Sequence, residues 1–249
     1  MKDGRITYKG VIHAFRQEGN LKIAEHSSRF FKTGKGEYGE GDRFLGIRVP
    51  VVRKYAKKYR KASLAITRKL LMSKFHEERL LAVIMLVERF KSGKAADKKS
   101  IYALYIGNTQ YINNWDIVDT SAHMIVGPYL QDRSKSKLRE FARSDVLWER
   151  RIAIMATFHY IRRREFATAF EISEMLVNDR QDLIHKAVGW MLREIGNRDR
   201  SVEEKFLKKH AATMPRTMLR YAIEKFPEKK RQEFLQMNKF PCPGAHNEA

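Results

Sequence analysis

The sequence predicts an all-α protein built as a stack of similar helix pairs. Three observations carry this prediction. Nearly every segment places its apolar residues at helical spacing. Gly and Pro are few, 14 and 6 in 249 residues, and fall between those segments or at the ends. One helix pattern also recurs at a near-constant period, and clean strand alternation is absent.

Taken in order, the periodic segments predict helices over 7–18, 21–32, 49–60, 64–72, 76–91, 95–106 and 110–126. Further helices are predicted over 134–143, 146–163, 165–177, 181–195, 202–210, 215–225 and 228–237. Between the second and third lies Thr33–Arg43, whose glycines at 34, 36, 39 and 41 favour turns and predict a flexible loop. No helix opens with Gly-Lys-Ser/Thr after it, so it is not a phosphate-binding loop. Residues 240–249 read as a disordered C-terminal tail, leaving 1–239 as a single repeat domain.

The repeat is seen in Glu78-Arg79-Leu80-Leu81-Ala82-Val83-Ile84-Met85, which resembles Glu149-Arg150-Arg151-Ile152-Ala153-Ile154-Met155-Ala156. Ile184–Met191 and Met218–Lys225 follow the same pattern. The register alanines are Ala82, Ala153, Ala187 and Ala222, separated by 71, 34 and 35 residues. The first gap is two periods, and its missing unit falls near Ile117. Each unit is two helices, so the expected architecture is a right-handed solenoid of HEAT/armadillo-like helical repeats with a concave basic groove. The small alanine lets paired helices approach closely.

Charge narrows the partner. Lys and Arg number 50 against 29 Asp and Glu, a formal net charge of +21, with a pI near 10.1. Self-repulsion on this scale points to an anionic partner, nucleic acid first and an anionic membrane surface second. No run approaches a membrane span, and the first residues lack a signal peptide's apolar segment. A soluble, cytoplasmic chain is therefore expected. The single Cys242 excludes a disulfide framework and a thiol-based zinc site.

The stretch Tyr111-Ile112-Asn113-Asn114-Trp115-Asp116-Ile117-Val118-Asp119-Thr120 holds the candidate site. Ile112, Ile117, Val118, Ala122, Ile125 and Val126 form one buried stripe. Trp115 and Asp119 are four apart, share a face and lie outside that stripe. A lone Trp and Asp at this spacing are ordinarily a packing residue and a solvated charge. The repeat register argues otherwise. Relative to the alanine position, Trp115, Arg151 and Arg220 sit at −2, Asp119 at +2 and Trp190 at +3. Equivalent faces of stacked repeats would bring them to one surface.

Asn114–Asp119, Trp148–Ile154 and Lys186–Glu194, with Phe44-Leu45-Gly46-Ile47-Arg48-Val49-Pro50 leading into the basic helix 51–60, resemble the AlkD-like family of DNA alkylation repair glycosylases. The resemblance runs from about residue 7 to 238 and is specific in the combination of motifs. It implies a HEAT-like solenoid. It also implies monofunctional hydrolysis of the N-glycosidic bond of N3- and N7-alkylated purines in duplex DNA, with the lesion handled in the stack and not flipped out. On the family motif the catalytic carboxylate falls on Asp119, the aromatic clamp on Trp115 and Trp190, and a phosphate-contacting arginine on Arg151. Phe30 stands where family members can carry a tyrosine, which puts one backbone contact in doubt.

These residue types suit that reaction. A cationic alkylpurine is already a good leaving group, so the difficulty lies in positive charge growing on the sugar. A fixed carboxylate stabilises it and orients water. Indole faces attract the cationic base by roughly 0.5–2 kcal/mol each. Phosphate contacts are expected from Arg48, Arg53, Lys54, Arg151, Lys186, Arg193 and Arg220. For any one of these except Arg151, a solvated surface charge is the simpler reading.

His26, His76, His123, His159 and His185 are scattered one per helix without metal-ligand spacing, so no metal and no cofactor is expected. Asp116 lies about 100° around the helix from Trp115, where a cap or ion pair is its expected role. Trp148 is expected to pack between repeats. Ser121 and Ser173 have no His/Asp partners for a hydrolase triad. The expected partner is double-stranded DNA containing alkylated purines, bound by a monomer with no membrane and no obligate protein partner. Two other functions stay open: a non-catalytic DNA-structure binder on the same scaffold, and a scaffold for an acidic protein.

Overall fold

Short polar caps start several helices. The side chains of Thr7, Asn20 and Ser63 accept the N–H groups of Gly10, Ile23 and Ile66 at 3.2, 3.1 and 3.3 Å, meeting donors that a helix start leaves unpaired. The computed structural model describes residues 6–237. Helices account for all of its regular structure apart from an isolated bridge between Arg43 and Phe75. The tail 240–249 and Cys242 lie outside the described residues. Among the described residues, no helix is long and apolar enough to cross a membrane.

The chain divides into two compact units, Met1–Tyr129 and Leu130–Ala249. The first contains α1 (Tyr8–Arg16), α2 (Leu21–Phe30), α3 (Val49–Lys58), α4 (Leu64–Leu71), α5 (His76–Ser92), α6 (Ala95–Ile106) and α7 (Trp115–Tyr129). Its core is α5, buried on every side from His76 to Val87: Leu80–Val87 is apolar all round, as a fully buried helix must be, and the charged residues His76–Arg79 before it are each paired. It packs against α3, α4, α6 and α7. At its start, the buried Glu77 carboxylate accepts three backbone N–H groups, from Leu45 (2.9 Å), Gly46 (2.8 Å) and Ile47 (3.2 Å). Gly46 sits at φ +76°, where a Cβ would lie 2.0 Å from the Asn20 carbonyl oxygen; no other residue fits this crossing.

The second unit contains α8 (Ser136–Ala142), α9 (Leu147–Ala156), α10 (Phe158–Ile161), α11 (Ala167–Leu176), α12 (Asp182–Gly196), α13 (Arg200–His210), α14 (Arg216–Ala222) and α15 (Glu228–Met237). Here α12 is central, packed on α9, α11, α13 and α14. A Cβ on Gly189 would stand 2.4 Å from the Met218 carbonyl oxygen, so this glycine sets how closely α12 and α14 approach.

The register alanines Ala82, Ala153, Ala187 and Ala222 are all fully buried. The repeat also extends to a hydrogen-bond motif, once in each unit. Ser73 Oγ accepts the Phe75 N–H and donates to Glu78, while Arg79 donates to the Ser73 carbonyl. Ser144 Oγ accepts the Val146 N–H and donates to Glu149, while Arg150 donates to the Ser144 carbonyl.

Two helices depart most from those expected. The helix predicted over 110–126 begins at Trp115, after a 3₁₀ turn at Thr109–Tyr111, because Asn114 caps it. The helix predicted over 146–163 breaks at the buried Thr157 and continues as α10. The glycine-rich loop turns as expected, with Gly36 and Gly41 at positive φ, but its end is not a solvent loop. Asp42 is drawn inward, its side chain only 5% exposed.

Candidate DNA and catalytic site

In the first unit the site is built at the start of α7. Asn114 is fully buried; its Oδ1 accepts the Trp115 N–H (2.8 Å), and its amide donates to Asp42 (3.2 Å). Asp116 accepts its neighbour's N–H at Ile117 (2.9 Å) and meets His76 Nε2 at 2.8 Å. This is the ion-pair role expected for Asp116. Ile117, Val118, Ser121 and Ala122 turn into the core. Trp115 and Asp119, one turn apart, are left half-buried on another face.

Trp115 is held by rings. Its indole stacks on Phe31 (5.4 Å, 21°) and meets the edge of Phe30 (6.1 Å, 67°). Phe31 in turn stacks on Phe44 (5.1 Å), and both contact the His76 ring at 4.7 Å. Phe30 is 59% exposed beside the indole.

Electrostatics under this face are arranged around His76. Burial alone would push its imidazolium pKa down. The charge and hydrogen bond of Asp116, with the hydrogen bond of Asp42, outweigh burial and lift it to about 9. Burial likewise acts to raise Asp42, but the His76 hydrogen bond and the Arg79 charge hold it below the usual carboxylate range. Behind Asp119, the buried Tyr105 phenol donates or accepts at Ser121 Oγ (2.9 Å). Its pKa is raised by burial, to which the Asp119 charge adds.

In the second unit Trp190 is half-buried on α12, its Nε1–H donating to Glu194 (3.2 Å). Phe158 lies 6.3 Å away, with the guanidinium groups of Arg162 and Arg198 at 5.1 and 5.7 Å from its centroid. Arg151 is buried and donates to the Leu183 carbonyl. Lys186 pairs with Asp182 (2.7 Å), and Arg193 pairs with Glu224. Arg220 is exposed on α14. In the first unit, Arg48, Arg53 and Lys54 are exposed at and along α3. Among the described residues, no carboxylate pairs with Arg53 or Lys54.

A family model described as DNA alkylation repair enzyme matches residues 11–226. The chain belongs to this family. A solved structure described as a predicted DNA alkylation repair enzyme from Enterococcus faecalis is similar at 16% identity and a TM-score of 0.66, covering 85% of this chain and 98% of that one. AlkD2 from Streptococcus mutans is similar at 18% identity and a TM-score of 0.52, covering 89% of this chain and 100% of that one. At these identities the likeness shows the helical repeat fold. No curated protein matches the chain.

In this DNA alkylation repair enzyme family member, sequence reasoning missed the bed on which Trp115 lies: Phe31, Asp42 and His76, with Phe44, which the sequence marks only as the start of the Phe44–Pro50 motif. Asp42 and Asp116 are 34 and 40 residues from His76, so no local spacing marks them. Phe158, Arg162 and Arg198 around Trp190 were also missed. The three consecutive arginines at 162–164 were the available signal there.

Proposed function

We propose that the chain is a DNA glycosylase acting on cationic N3- and N7-alkylated purines in duplex DNA, such as 3-methyladenine and 7-methylguanine. Family membership supports DNA alkylation repair. The observation that carries the finer reading is a carboxylate, Asp119, one helical turn from the indole of Trp115, both outside the buried face of α7.

In this reading the C1′–N bond breaks with its electron pair passing to the cationic base, which leaves neutral. Positive charge develops at C1′ and the ring oxygen of the sugar, and the fixed Asp119 carboxylate offsets it. Water then adds at C1′, gives up its proton and leaves an abasic site. No general acid is needed, because the leaving group already carries its charge. Trp115 packs against the cationic lesion and selects it over neutral purines. Trp190 is assigned a contact with the DNA, with phosphate contacts from Arg48, Arg53, Lys54, Lys186, Arg193 and Arg220; Arg151, 5% exposed and donating to the Leu183 carbonyl, joins them only by turning out from that carbonyl. Lys186 and Arg193 each hold a carboxylate partner that DNA must displace or share.

Release of 7-methylguanine and 3-methyladenine from methylated duplex DNA tests the proposal. Asp119→Asn is expected to slow release by about 100-fold or more, with duplex affinity within a few-fold of wild type. Equal release by the variant would remove Asp119 from its role. If wild type binds the duplex and releases neither base, the chain is a DNA binder on this scaffold and not an enzyme.

A further inference from the structure

We propose that His76, as an imidazolium, is the positioning residue for Trp115, and that losing its proton releases the indole from the orientation that serves base release. The proposal rests on the glycosylase reading for its consequence, but not for its geometry. His76 is 1% exposed, so it cannot touch DNA. Any effect it has on the reaction passes through neighbours.

Trp115 is the first residue of α7, a position where helices fray. The residues on either side of it are tied to one buried pair. Asn114 donates to Asp42 (3.2 Å), and Asp116 meets His76 (2.8 Å), while Asp42 and His76 meet each other (3.3 Å). A second route runs through rings, since Phe31 contacts both His76 and Trp115. The loop end, the end of α2, the start of α5 and the start of α7 therefore converge on one imidazole.

That imidazole needs two protons. Nδ1 faces Asp42 and Nε2 faces Asp116, and an ionised carboxylate only accepts hydrogen bonds. A neutral ring donates from one nitrogen and turns a lone pair on the other carboxylate. Of the remaining charged groups, Arg79 donates to Asp42 (2.6 Å) and opposes the imidazolium charge. Glu77 is turned to the Leu45–Ile47 N–H groups, and Glu78 to Arg16 and Ser73. Arg43 contributes its carbonyl, which accepts the backbone N–H of His76 and not a ring N–H (2.8 Å). The two aspartates thus set the proton affinity, and the elevated value near 9 agrees with the geometry.

The test combines kinetics with fluorine NMR of the full chain carrying fluorotryptophan, whose three signals are assigned by single Trp→Phe variants. Single-turnover release of 7-methylguanine is expected to fall as pH rises through about 9. The Trp115 signal should move with the same midpoint, and His76 ring resonances should report it directly. The signals of Trp148 and Trp190 should not follow it. Asp116→Asn should lower all three midpoints together by about 1–3 pH units. His76→Gln should remove the alkaline limb and leave release about 10- to 100-fold slower.

A merely structural role for His76 predicts that all three Trp signals move together, and this outcome overturns the proposal. So does a Trp115 signal that ignores the His76 titration, or a midpoint that Asp116→Asn leaves in place. Base release that stays level while Trp115 moves overturns it as well. If wild type releases no base at any pH while Trp115 still follows His76, the glycosylase reading fails and the coupling stands.

Discussion

Glu203→Gln should stabilise the protein at neutral pH and leave it unchanged in mild acid. Glu203 lies in the first turns of α13, 1% exposed, and its Oε1 has no hydrogen-bond partner. Its Oε2 is pressed so closely to Gly196 that a Cβ there would stand 1.6 Å away. Burial raises its pKa from 4.5 to about 9, with Arg200 opposing and Glu204 adding to the rise. The folded chain therefore holds a proton that the unfolded chain gives up. Stability contributed by that proton is complete below 4.5 and is lost progressively as pH rises towards 9. At about pH 7.5 the separation is about three units, which at about 1.4 kcal/mol per unit comes to about 4 kcal/mol. A Gln amide keeps the shape without ionising, and its own unpartnered N–H groups take back about 1 kcal/mol. The net gain of about 3 kcal/mol should raise the melting temperature by about 6–12 °C for a chain of this size. At about pH 5 the same calculation leaves under about 1 kcal/mol. Thermal melts of wild type and variant at the two pH values decide it. A gain that is equal at both, or a loss at the higher pH, would falsify the account of Glu203 as a buried neutral acid.

Three further perturbations follow from the geometry. Glu77→Gln removes a charge-assisted acceptor from three backbone N–H groups and should cost about 2–4 kcal/mol in urea unfolding; a loss under about 1 kcal/mol would show that those donors find other partners. Gly189→Ala drives a methyl into the Met218 carbonyl oxygen and the Tyr221 Cβ, 2.4 and 2.5 Å away, and should destabilise by about 2 kcal/mol or more; an unchanged melting temperature would mean that α14 is free to move. Arg53→Ala with Lys54→Ala should lower the slope of log affinity for duplex DNA against log salt by about 2; an unchanged slope would remove α3 from the phosphate contacts.

The repeat was legible because it is written in residue size. Ala82, Ala153, Ala187 and Ala222 recur where helices touch, and a larger side chain at any of them would push a neighbour away. The face of α7 was legible for the same reason: Ile117, Val118, Ala122, Ile125 and Val126 are buried as their spacing requires, and this alone turns Trp115 and Asp119 elsewhere. The helix start was not. Ile112 is buried in phase with the stripe although it lies before the helix, so apolar periodicity ran through a boundary that only the Asn114 cap marks. The break at Thr157 had no signal, since neither Gly nor Pro stands there.

What periodicity cannot reach is the identity of a partner. It reports that a side chain faces inward but not what it meets, and His76 shows the consequence. As a sequence position it is one scattered histidine among several. Its chemistry depends on two carboxylates brought from separate elements 34 and 40 residues away, each of which by itself reads as an ordinary loop or cap aspartate. The pattern around Trp115 therefore divides by range. Contacts within one helical turn, such as that of Trp115 with Asp119, follow from spacing, whereas the rings and charges that orient the indole follow only from the packing of α2, α5, α7 and the loop. If His76 positions Trp115 as proposed, mutations at Asp42, Phe31 or Phe44 should alter base release more than duplex affinity, although only Phe44 lies in a motif that the sequence alone marks.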